Sequence, residues 1–272
     1  MSEAGSFARR YGPWALVAGA SEGLGQAFAR AAARRGLNLV LLARRASLLE
    51  AVAAELREAF RVEVRTSAVD LGAGSVGADL ARAVDGLEVG LCVYNAAFAP
   101  LGDFLSRPVE DAVRAVEVNC RGPLVLAHAL CGPMAARGRG GLVLMSSLTG
   151  LTGTAALAAY SATKSFNRTL AEALWKELSP RGVDVLACCA GAVLTPGLAK
   201  ASQRSAPGSL SPDAVAERTL AALSRGPSLT PGALNTVAAF AMTRLMPRRM
   251  AVNLMASTTR SVVPPPTPPA LS

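Results

Sequence analysis

The chain has 272 residues, of which 51% are hydrophobic, 4% aromatic and 17% charged, and its formal net charge is +9. This length predicts one large α/β domain with a substantial core in preference to two small ones. The arginines are scattered in pairs without a basic run or an aromatic stacking platform, so no nucleic-acid partner is expected. A solvated surface, or an anionic cofactor or substrate, fits the charge.

Other classes of site and segment are also not expected. The five cysteines show no metal-ligand spacing and are predicted to be small buried residues in a reducing compartment. His128 is the only histidine, and its apolar helical surroundings favour a packed or surface residue over a member of a catalytic triad. Residues 1–10 form a polar N-terminal extension without the apolar core of a signal peptide. No apolar run reaches the ~18 residues of a spanning helix, so a cytoplasmic location is expected.

The first predicted unit is a strand over 14–18, a glycine turn over 19–25 and a helix over 26–35. Gly19, Gly23 and Gly25 let the backbone turn tightly and approach a pyrophosphate. The helix start offers free N–H groups and the positive end of a dipole. The unit therefore predicts a phosphate-binding turn, with an ordinary tight turn as the alternative.

A second strand, over 38–43, is followed by Arg44 and Arg45. Dinucleotide-binding folds recognise the adenosine ribose at this position. An acidic residue there accepts hydrogen bonds from a free 2′-hydroxyl, whereas arginine pairs with a 2′-phosphate. The arginines therefore predict NADP(H), against the alternative of surface arginines beside the helix predicted over 46–59.

Polar residues follow the next two strands, predicted over 62–66 and 91–94. Asp70 either holds the adenine amino group or caps a helix that begins near Ala73. Asn95 opens a run of small residues that would let a cofactor lie close. Asn119 lies inside a long helix predicted over 108–134, where its low helix propensity is compatible with a functional reason.

The stretch from Ser147 to Lys164 carries the candidate chemistry. Ser147 follows an apolar strand over 141–146, where its hydroxyl would hydrogen-bond a substrate carbonyl oxygen. Tyr160 and Lys164 are four residues apart on an Ala-rich helix and share one face. The reference pKa of tyrosine is about 10, and a nearby ammonium is expected to lower it, which makes Tyr160 a plausible proton donor. The three groups suit reduction of a ketone or the reverse reaction.

The last third of the chain is predicted to complete the sheet and cover the site. A sixth strand over 183–189 precedes a loop, mobile over 197–212, and a helix over 213–225. Residues 237–255 predict a broken amphipathic pair of helices that packs on the core or a subunit, with a membrane surface as the alternative. A proline-rich tail over 264–269 is predicted to be disordered.

Strands and helices thus alternate six times. This pattern predicts an α/β fold with a single Rossmann-like, doubly wound parallel sheet and helices on both faces. The candidate residues fall at the carboxyl ends of predicted strands, where such folds bind ligands: the glycine turn, Asp70, Asn95, Ser147 and Thr195.

These features together resemble the short-chain dehydrogenase/reductase family over residues 11–225. They are Gly19-x3-Gly23-x-Gly25, Asp70, Asn95-Ala96, Asn119, Ser147, Tyr160-x3-Lys164 and Gly191-x3-Thr195. The resemblance implies one NADP-binding domain over 11–260, with a substrate loop at about 191–212 and a C-terminal helical segment at about 233–258, before a tail over 261–272. It also implies a homodimer or homotetramer.

The family's functional residues carry over by position. Tyr160 would be the acid/base, Ser147 the anchor of the carbonyl oxygen, and Lys164 would bind the nicotinamide ribose and lower the tyrosine pKa. Asn119 would hold a water in a proton relay. The implied cofactor-binding residues are Gly19, Ser21, Glu22, Gly23, Leu24, Gly25, Arg44, Arg45, Asp70, Leu71, Asn95, Tyr160, Lys164, Val193 and Thr195, with no metal.

Four residues depart from the family's usual pattern and leave local loop geometry open: Ala18, Tyr94, Ala97 and Ala190. The leading expectation is NADPH-dependent reduction of an apolar ketone of ketoacyl or steroid-like kind. Two alternatives stay open, an NADP+-dependent alcohol dehydrogenase and a cofactor-binding scaffold without turnover. The expected partner is a small carbonyl or alcohol substrate, with peripheral membrane contact as a further hypothesis.

Overall fold

The computed structural model describes residues 3–195 and 208–262. The strands within these ranges are β1 (Trp14–Ala18), β2 (Asn38–Ala43), β3 (Val64–Ala68), β4 (Val89–Tyr94), β5 (Gly140–Ser147), β6 (Val183–Ala190) and β7 (Ser228–Leu229). They form one parallel sheet in the order β3-β2-β1-β4-β5-β6-β7. The winding direction reverses between β1 and β4, so a crevice opens at the carboxyl ends of these two strands.

The helices in the described ranges connect the strands and cover both faces of the sheet. They are α1 (Glu3–Tyr11), α2 (Gly23–Arg34), α3 (Ala46–Phe60), α4 (Val76–Ala83), α5 (Val109–Val116), α6 (Gly122–Ala136), α7 (Ala158–Leu178), α8 (Pro212–Ala222), α9 (Ala233–Phe240) and α10 (Arg248–Val262). A π-helical turn, Glu117–Arg121, joins α5 to α6, and a second one, Ala241–Leu245, extends α9.

The central strands are apolar along their whole length because helices cover the sheet on both sides. Every residue of β1 and β4 is buried. One core layer contains Phe28, Leu56 and Leu220, and the other contains Leu80 and Leu126. The sheet is therefore rigid where its strands end, and the loops that follow these strands carry the polar residues of the site.

The predicted fold class is confirmed: the structure is a doubly wound parallel sheet of the Rossmann type. All six predicted strands are present, with ends within two residues of those predicted. The seventh strand, β7, was missed because its two residues are too few to show a periodic pattern. The helix predicted over 108–134 is present but contains the π-helical turn.

The two ends of the chain add helices to this sheet. The predicted N-terminal extension is helical from Glu3, and the Tyr11 hydroxyl and Arg10 guanidinium both donate to the Asp184 carboxylate of β6 at 2.6 Å. The predicted broken pair at the other end corresponds to α9 and α10. The tail over 264–269, and the predicted mobile loop up to residue 207, lie outside the described residues.

Candidate active site

The glycine turn between β1 and α2 forms the floor of the site. Gly19 has a φ of +83°, in the left-handed region that favours glycine, and a Cβ on it would lie 2.7 Å from the backbone of Ala96. A Cβ on Gly25 would lie 1.9 Å from the Gly19 carbonyl oxygen. Asn95 Nδ2 donates to that same oxygen at 3.1 Å. The turn and the end of β4 therefore make close backbone contact that any side chain on these glycines would disrupt.

A cavity of about 360 Å³ opens beside this turn. Gly25, Val193, Tyr160 and Lys164 are not among its lining residues, although all four were predicted to contact the cofactor. Most of the other predicted cofactor-binding residues do line it: Gly19, Ser21, Glu22, Gly23, Leu24, Arg44, Arg45, Asp70, Leu71, Asn95 and Thr195. The cavity lining also contains Val69, Arg114 and Val118, which sequence reasoning missed.

The two arginines after β2 differ in their surroundings. Arg45 Nη2 lies 2.7 Å from a carboxylate oxygen of Glu22 and 3.3 Å from Ser21 Oγ, so its guanidinium is tied to the glycine turn. Arg44 also lines the cavity, and the part of the chain that the structure describes gives it no ion-pair partner at salt-bridge distance. Arg44 therefore presents a cation at the edge of the cavity that has no salt bridge within the described residues but is near enough to Asp70 to help lower the pKa of that carboxyl.

Asp70 is bound by a residue that the sequence did not indicate. Arg114 Nη2 donates to both carboxylate oxygens, at 2.7 and 2.8 Å. The Gly72 N–H donates to Oδ1 at 3.0 Å. Partial burial disfavours the carboxylate, but these hydrogen bonds and the nearby arginine charges keep the pKa of Asp70 below its ordinary value. The predicted helix cap is wrong because α4 begins only at Val76 and the carboxylate instead faces the cavity.

Ser147, Tyr160 and Lys164 come together beside the end of β5. Ser147 is the last residue of β5, and its Oγ accepts hydrogen bonds from Thr149 N at 3.2 Å and Thr149 Oγ1 at 3.1 Å. The Ser147 side chain also lies near the Tyr160 phenol, whose pKa it lowers. Lys164 Nζ lies 5.4 Å from the centre of the Tyr160 ring and donates to the Met145 carbonyl at 2.8 Å. One turn of α7 thus sets the phenol beside the ammonium, with the Ser147 hydroxyl close by at the end of β5.

Burial dominates the acid–base properties of this cluster. It raises the pKa of Tyr160 to about 12, and the hydrogen bond from Ser147 opposes that rise only in part. Burial lowers the pKa of Lys164 to about 8. The expected net lowering of the tyrosine pKa by the lysine is wrong for this arrangement of the protein groups. At neutral pH the phenol is protonated and the lysine is largely charged.

Asn119 lies in the π-helical turn and is fully buried. Its Oδ1 accepts from Phe98 N at 2.7 Å, while its Nδ2 donates to Phe98 O at 2.8 Å and to Thr163 Oγ1 at 2.9 Å. The side chain therefore fastens the loop after β4 to α7, between Tyr160 and Lys164. Since both amide protons are used within the protein, the predicted role of Asn119 in holding a water stays a prediction.

Tyr94, one of the residues that depart from the family's pattern, fixes the same turn from the sheet side. Its buried hydroxyl donates to the Val118 carbonyl at 2.5 Å. A Cβ on Gly122 would lie 2.1 Å from that hydroxyl oxygen, so the glycine makes room for the larger side chain. The substitution is accommodated without displacing Asn95, which still donates to the Gly19 carbonyl.

The segment after β6 closes the other side of the site. Val193 forms a parallel bridge with Leu210, and Leu194 N donates to the Leu210 carbonyl at 3.0 Å. Asn235 of α9 is buried behind this segment, and its Nδ2 donates to the Gly208 carbonyl at 3.0 Å. The C-terminal helices therefore support the backbone that carries Val193 and Thr195.

Metal and membrane signals are weak in the described ranges. No group of three or more His, Cys, Asp or Glu side chains is placed there to hold a metal ion. Four cysteines are buried and Cys120 is partly buried, as the sequence indicated, and all five are free thiols. Of the helices between residues 3 and 262, outside the gap at 196–207, none has the length and apolar character needed to cross a bilayer.

Comparison with known proteins assigns this site to a family. Residues 13–206 match the family described as short chain dehydrogenase. The 7beta-hydroxysteroid dehydrogenase of Collinsella aerofaciens is 33% identical over 189 residues, covering 70% of this chain and 72% of that protein. The very-long-chain 3-oxoacyl-CoA reductase of Phaeosphaeria nodorum is 33% identical over 202 residues. The matched region is 72% of this chain and 59% of the length of that reductase.

Two solved structures share the arrangement of helices and strands. A 7beta-hydroxysteroid dehydrogenase structure superposes with a TM-score of 0.86 at 27% identity, over 92% of this chain and 98% of the other. A short-chain dehydrogenase from Sphingobium yanoikuyae in complex with NADPH superposes with a TM-score of 0.73 at 31% identity. That superposition covers 80% of this chain and 87% of the other.

Proposed function

The chain belongs to the short-chain dehydrogenase family, and from that premise we propose that it uses NADP(H) to reduce a bulky, largely apolar ketone. Membership itself makes the chain an oxidoreductase that acts between CH–OH and C=O groups. The observation that carries the proposed chemistry is the cluster at the end of β5, in which Ser147 lies near the Tyr160 phenol and the buried Lys164 lies beside the tyrosine ring.

Each residue of the cluster has a defined task in this proposal. The Ser147 hydroxyl donates a hydrogen bond to the substrate carbonyl oxygen and polarises the C=O bond. The Tyr160 phenol, protonated at neutral pH, gives its proton to that oxygen as negative charge develops on it. Lys164 then stabilises the phenolate with its ammonium. The bound nicotinamide supplies the hydride to the carbonyl carbon.

The protein groups at the cavity fit a phosphorylated dinucleotide. The glycine turn offers a surface free of side chains beside the start of α2, where N–H groups and the helix dipole favour phosphate. After β2, Arg44 presents a guanidinium for which the described residues supply no salt bridge, at the position where dinucleotide-binding folds recognise the ribose. A 2′-phosphate is the ligand that this cation suits, which supports NADP(H) over NAD(H).

An apolar substrate is supported by a second cavity next to Tyr160. This cavity has a volume of about 170 Å³, and its lining includes Ala158 and Ala159, the two residues before the tyrosine. Phe104, Leu105 and Val109 line its outer side and are largely exposed. The named relatives act on a steroid and on a very-long-chain 3-oxoacyl-CoA, both of which place an oxygen on an extended apolar skeleton.

The test is turnover by a Tyr160→Phe variant. Removal of the phenolic proton donor is expected to lower kcat for reduction of bulky ketones about 10²–10⁴-fold. Binding of NADPH is expected to change little, because the cavity lining does not include Tyr160. The measurement is the loss of NADPH absorbance with a panel that contains a steroid ketone, a 3-oxoacyl thioester and a small polar ketone.

The matched control is Tyr11→Phe, which deletes the same hydroxyl from a tyrosine that binds Asp184 at the other end of the sheet. This control is expected to retain full turnover. Undiminished turnover by Tyr160→Phe would contradict the assigned chemistry. NADPH binding by the wild-type protein with no turnover on any ketone or alcohol of the panel would favour a cofactor-binding scaffold instead.

A further inference from the structure

The C-terminal helices present an apolar surface that no part of the described chain covers. We call it the C-terminal face and define it by six side chains that are 46–69% exposed: Leu234, Val237, Phe240, Leu245, Met250 and Leu254. They belong to α9, the π-helical turn after it, and α10. Single exposed apolar residues are ordinary on soluble proteins, but six of them on two successive helices that share one buried cluster indicate an interaction surface.

The opposite sides of these helices are fixed to the protein body, so the exposure is not a result of loose packing. Met242, Ala251 and Met255 are buried together and contact Leu148, the residue after Ser147. Thr259 Oγ1 lies 2.9 Å from Thr154 Oγ1. A further bond joins Arg248 Nη1 to the Leu151 carbonyl at 2.8 Å. The helices are thus held against the segment that links Ser147 to Tyr160, with the C-terminal face turned outward.

The charge around the C-terminal face has one sign. The sequence from residue 218 to residue 272 contains no aspartate or glutamate. Arg244, Arg248, Arg249 and Arg260 lie on α10 or just before it, and all four are exposed. Within the described residues no carboxylate lies at salt-bridge distance from these four arginines, so the face combines apolar side chains with a local positive charge.

The combination of apolar side chains and positive charge favours one of two possible binding partners of the C-terminal face. A second copy placed on the face by a two-fold axis would bring together two positively charged segments, and residues 218–272 of neither copy contain an aspartate or glutamate to pair the arginines. An anionic bilayer surface offers negative head groups and an apolar interior to the same helices. The helices described are not of a kind that crosses a bilayer, so they would lie in the plane of its surface.

A second apolar patch on the molecule sharpens the contrast. Phe104 and Val109 are 59% and 65% exposed, as much as residues of the C-terminal face. That patch is bordered by Asp103, Glu110 and Asp111, of which Asp111 is paired with Arg107. The carboxylates outnumber the arginine, so an anionic surface would favour the C-terminal face over this patch, and exposure of apolar residues alone does not select the membrane-facing side.

We propose that the C-terminal face docks on a bilayer that contains anionic phospholipid, with Val237 and Phe240 inserted at the head-group boundary and the arginines against the head groups. Docking there brings the helices that contact the Ser147–Tyr160 segment next to the lipid. The proposal concerns binding to a surface and stands whether or not the catalytic assignment is correct.

The test is flotation of the full chain with vesicles of phosphatidylcholine alone or mixed with phosphatidylglycerol. Binding to the mixed vesicles is expected to be at least tenfold tighter and to weaken in 1 M salt, where the screening length falls to about 3 Å. A Val237→Ser, Phe240→Ser double variant is expected to bind about 100-fold more weakly, because two apolar side chains no longer leave water. An Arg244→Gln, Arg249→Gln variant is expected to lose about 30-fold.

Matched controls separate the face from general properties of the surface. Phe104→Ser removes an equally exposed phenylalanine from the acid-bordered patch and is expected to leave vesicle binding unchanged. Arg218→Gln with Arg225→Gln removes two charges from outside the face, with a change of less than about threefold expected. All variants alter exposed side chains, and an unchanged thermal unfolding midpoint verifies that each is folded.

Three results would overturn the proposal. One is equal binding of the wild-type chain to both kinds of vesicle, or to neither. Another is undiminished binding by the Val237→Ser, Phe240→Ser variant. The third is a concentration-dependent doubling of mass without vesicles that Phe240→Ser abolishes, which would assign the face to a second copy of the chain.

Discussion

The cofactor cavity and the catalytic cluster meet at one edge of the sheet but are built in opposite ways. The cavity is bordered by charged side chains that remain a third to a half exposed, as in the Arg45–Glu22 and Arg114–Asp70 pairs. In the cluster, Lys164 is 2% exposed. Ion pairs near water contribute little to stability, but an uncompensated cation there selects an anionic ligand. A buried cation has its pKa shifted and costs stability.

The largest expected effect comes from disrupting the contact between the glycine turn and the residues at the end of β4. Gly25→Ala would place a Cβ 1.9 Å from the Gly19 carbonyl oxygen and 2.8 Å from Asn95 Nδ2. The backbone must shift, so we expect the free energy of unfolding to fall by at least about 1–3 kcal/mol and NADPH binding to be lost. Denaturant unfolding and a titration with NADPH measure the two effects.

The control for that change is Gly132→Ala on α6, where a Cβ would meet nothing within 4 Å. Alanine in an open helical position is expected to stabilise the protein by about 0.5–1 kcal/mol. If Gly25→Ala bound NADPH as the wild type does, the close contact between the turn and β4 would not be what shapes the cavity.

A second prediction concerns the folding stability that is lost because the charge of Lys164 is buried. Lys164→Met is expected to abolish turnover and yet raise the free energy of unfolding at pH 7 by about 1–3 kcal/mol, because the pKa of Lys164 is lowered from 10.5 to about 8 by burial. The Met145 carbonyl retains the hydrogen bond from Asn167 Nδ2 at 3.4 Å. Thermal or denaturant unfolding measures this change in stability. The control is Lys176→Met, which replaces an exposed lysine on the same helix and is expected to change the free energy of unfolding very little.

The stability that Lys164→Met gains over the wild type is expected to change with pH in one direction only. Below pH 8 the lysine is charged in both folded and unfolded wild-type chains, so the gain is complete. Above pH 8 the folded state releases its proton before the unfolded state does, and wild-type stability rises with pH relative to the variant. The gain should therefore shrink between pH 8 and pH 10.5. A gain that grows over this range, or a loss of stability at pH 7, would contradict the burial argument.

The fold could be predicted because its signals are local. Continuous apolar runs gave six strands, and a glycine turn between a strand and a helix located the crevice. The two-residue β7 and the π-helical turn at Asn119 left no such signal, since neither changes the hydrophobic pattern. Assembly as a homodimer or homotetramer stays a prediction that rests on the resemblance, and a cytoplasmic location stays a prediction from the polar start of the chain and the lack of a long apolar run.

The site was less predictable wherever a property depends on distant parts of the chain. Arg114 binds Asp70 across 44 residues of sequence, and no local sequence pattern around either residue predicts that the two side chains meet. The sequence spacing predicted that the Lys164 ammonium lies near Tyr160. Whether the tyrosine pKa is raised or lowered depends on burial by the surrounding elements, and the spacing contains no information on burial. The separation of Arg44 from Arg45 likewise depends on where Glu22 and Ser21 lie.

The most direct test of the contrast between an exposed recognition site and a catalytic cluster built on a buried lysine is a parallel calorimetric titration with NADPH and NADH. The wild type is expected to bind NADPH more tightly, and Arg44→Ala to lose about 10–100-fold of NADPH affinity, the usual worth of a hydrogen bond to a charged group. NADH affinity should stay unchanged, and Arg45→Ala, whose guanidinium is already paired, should behave as the wild type. Equal binding of both cofactors by the wild type, or an unaltered preference in Arg44→Ala, would contradict the account.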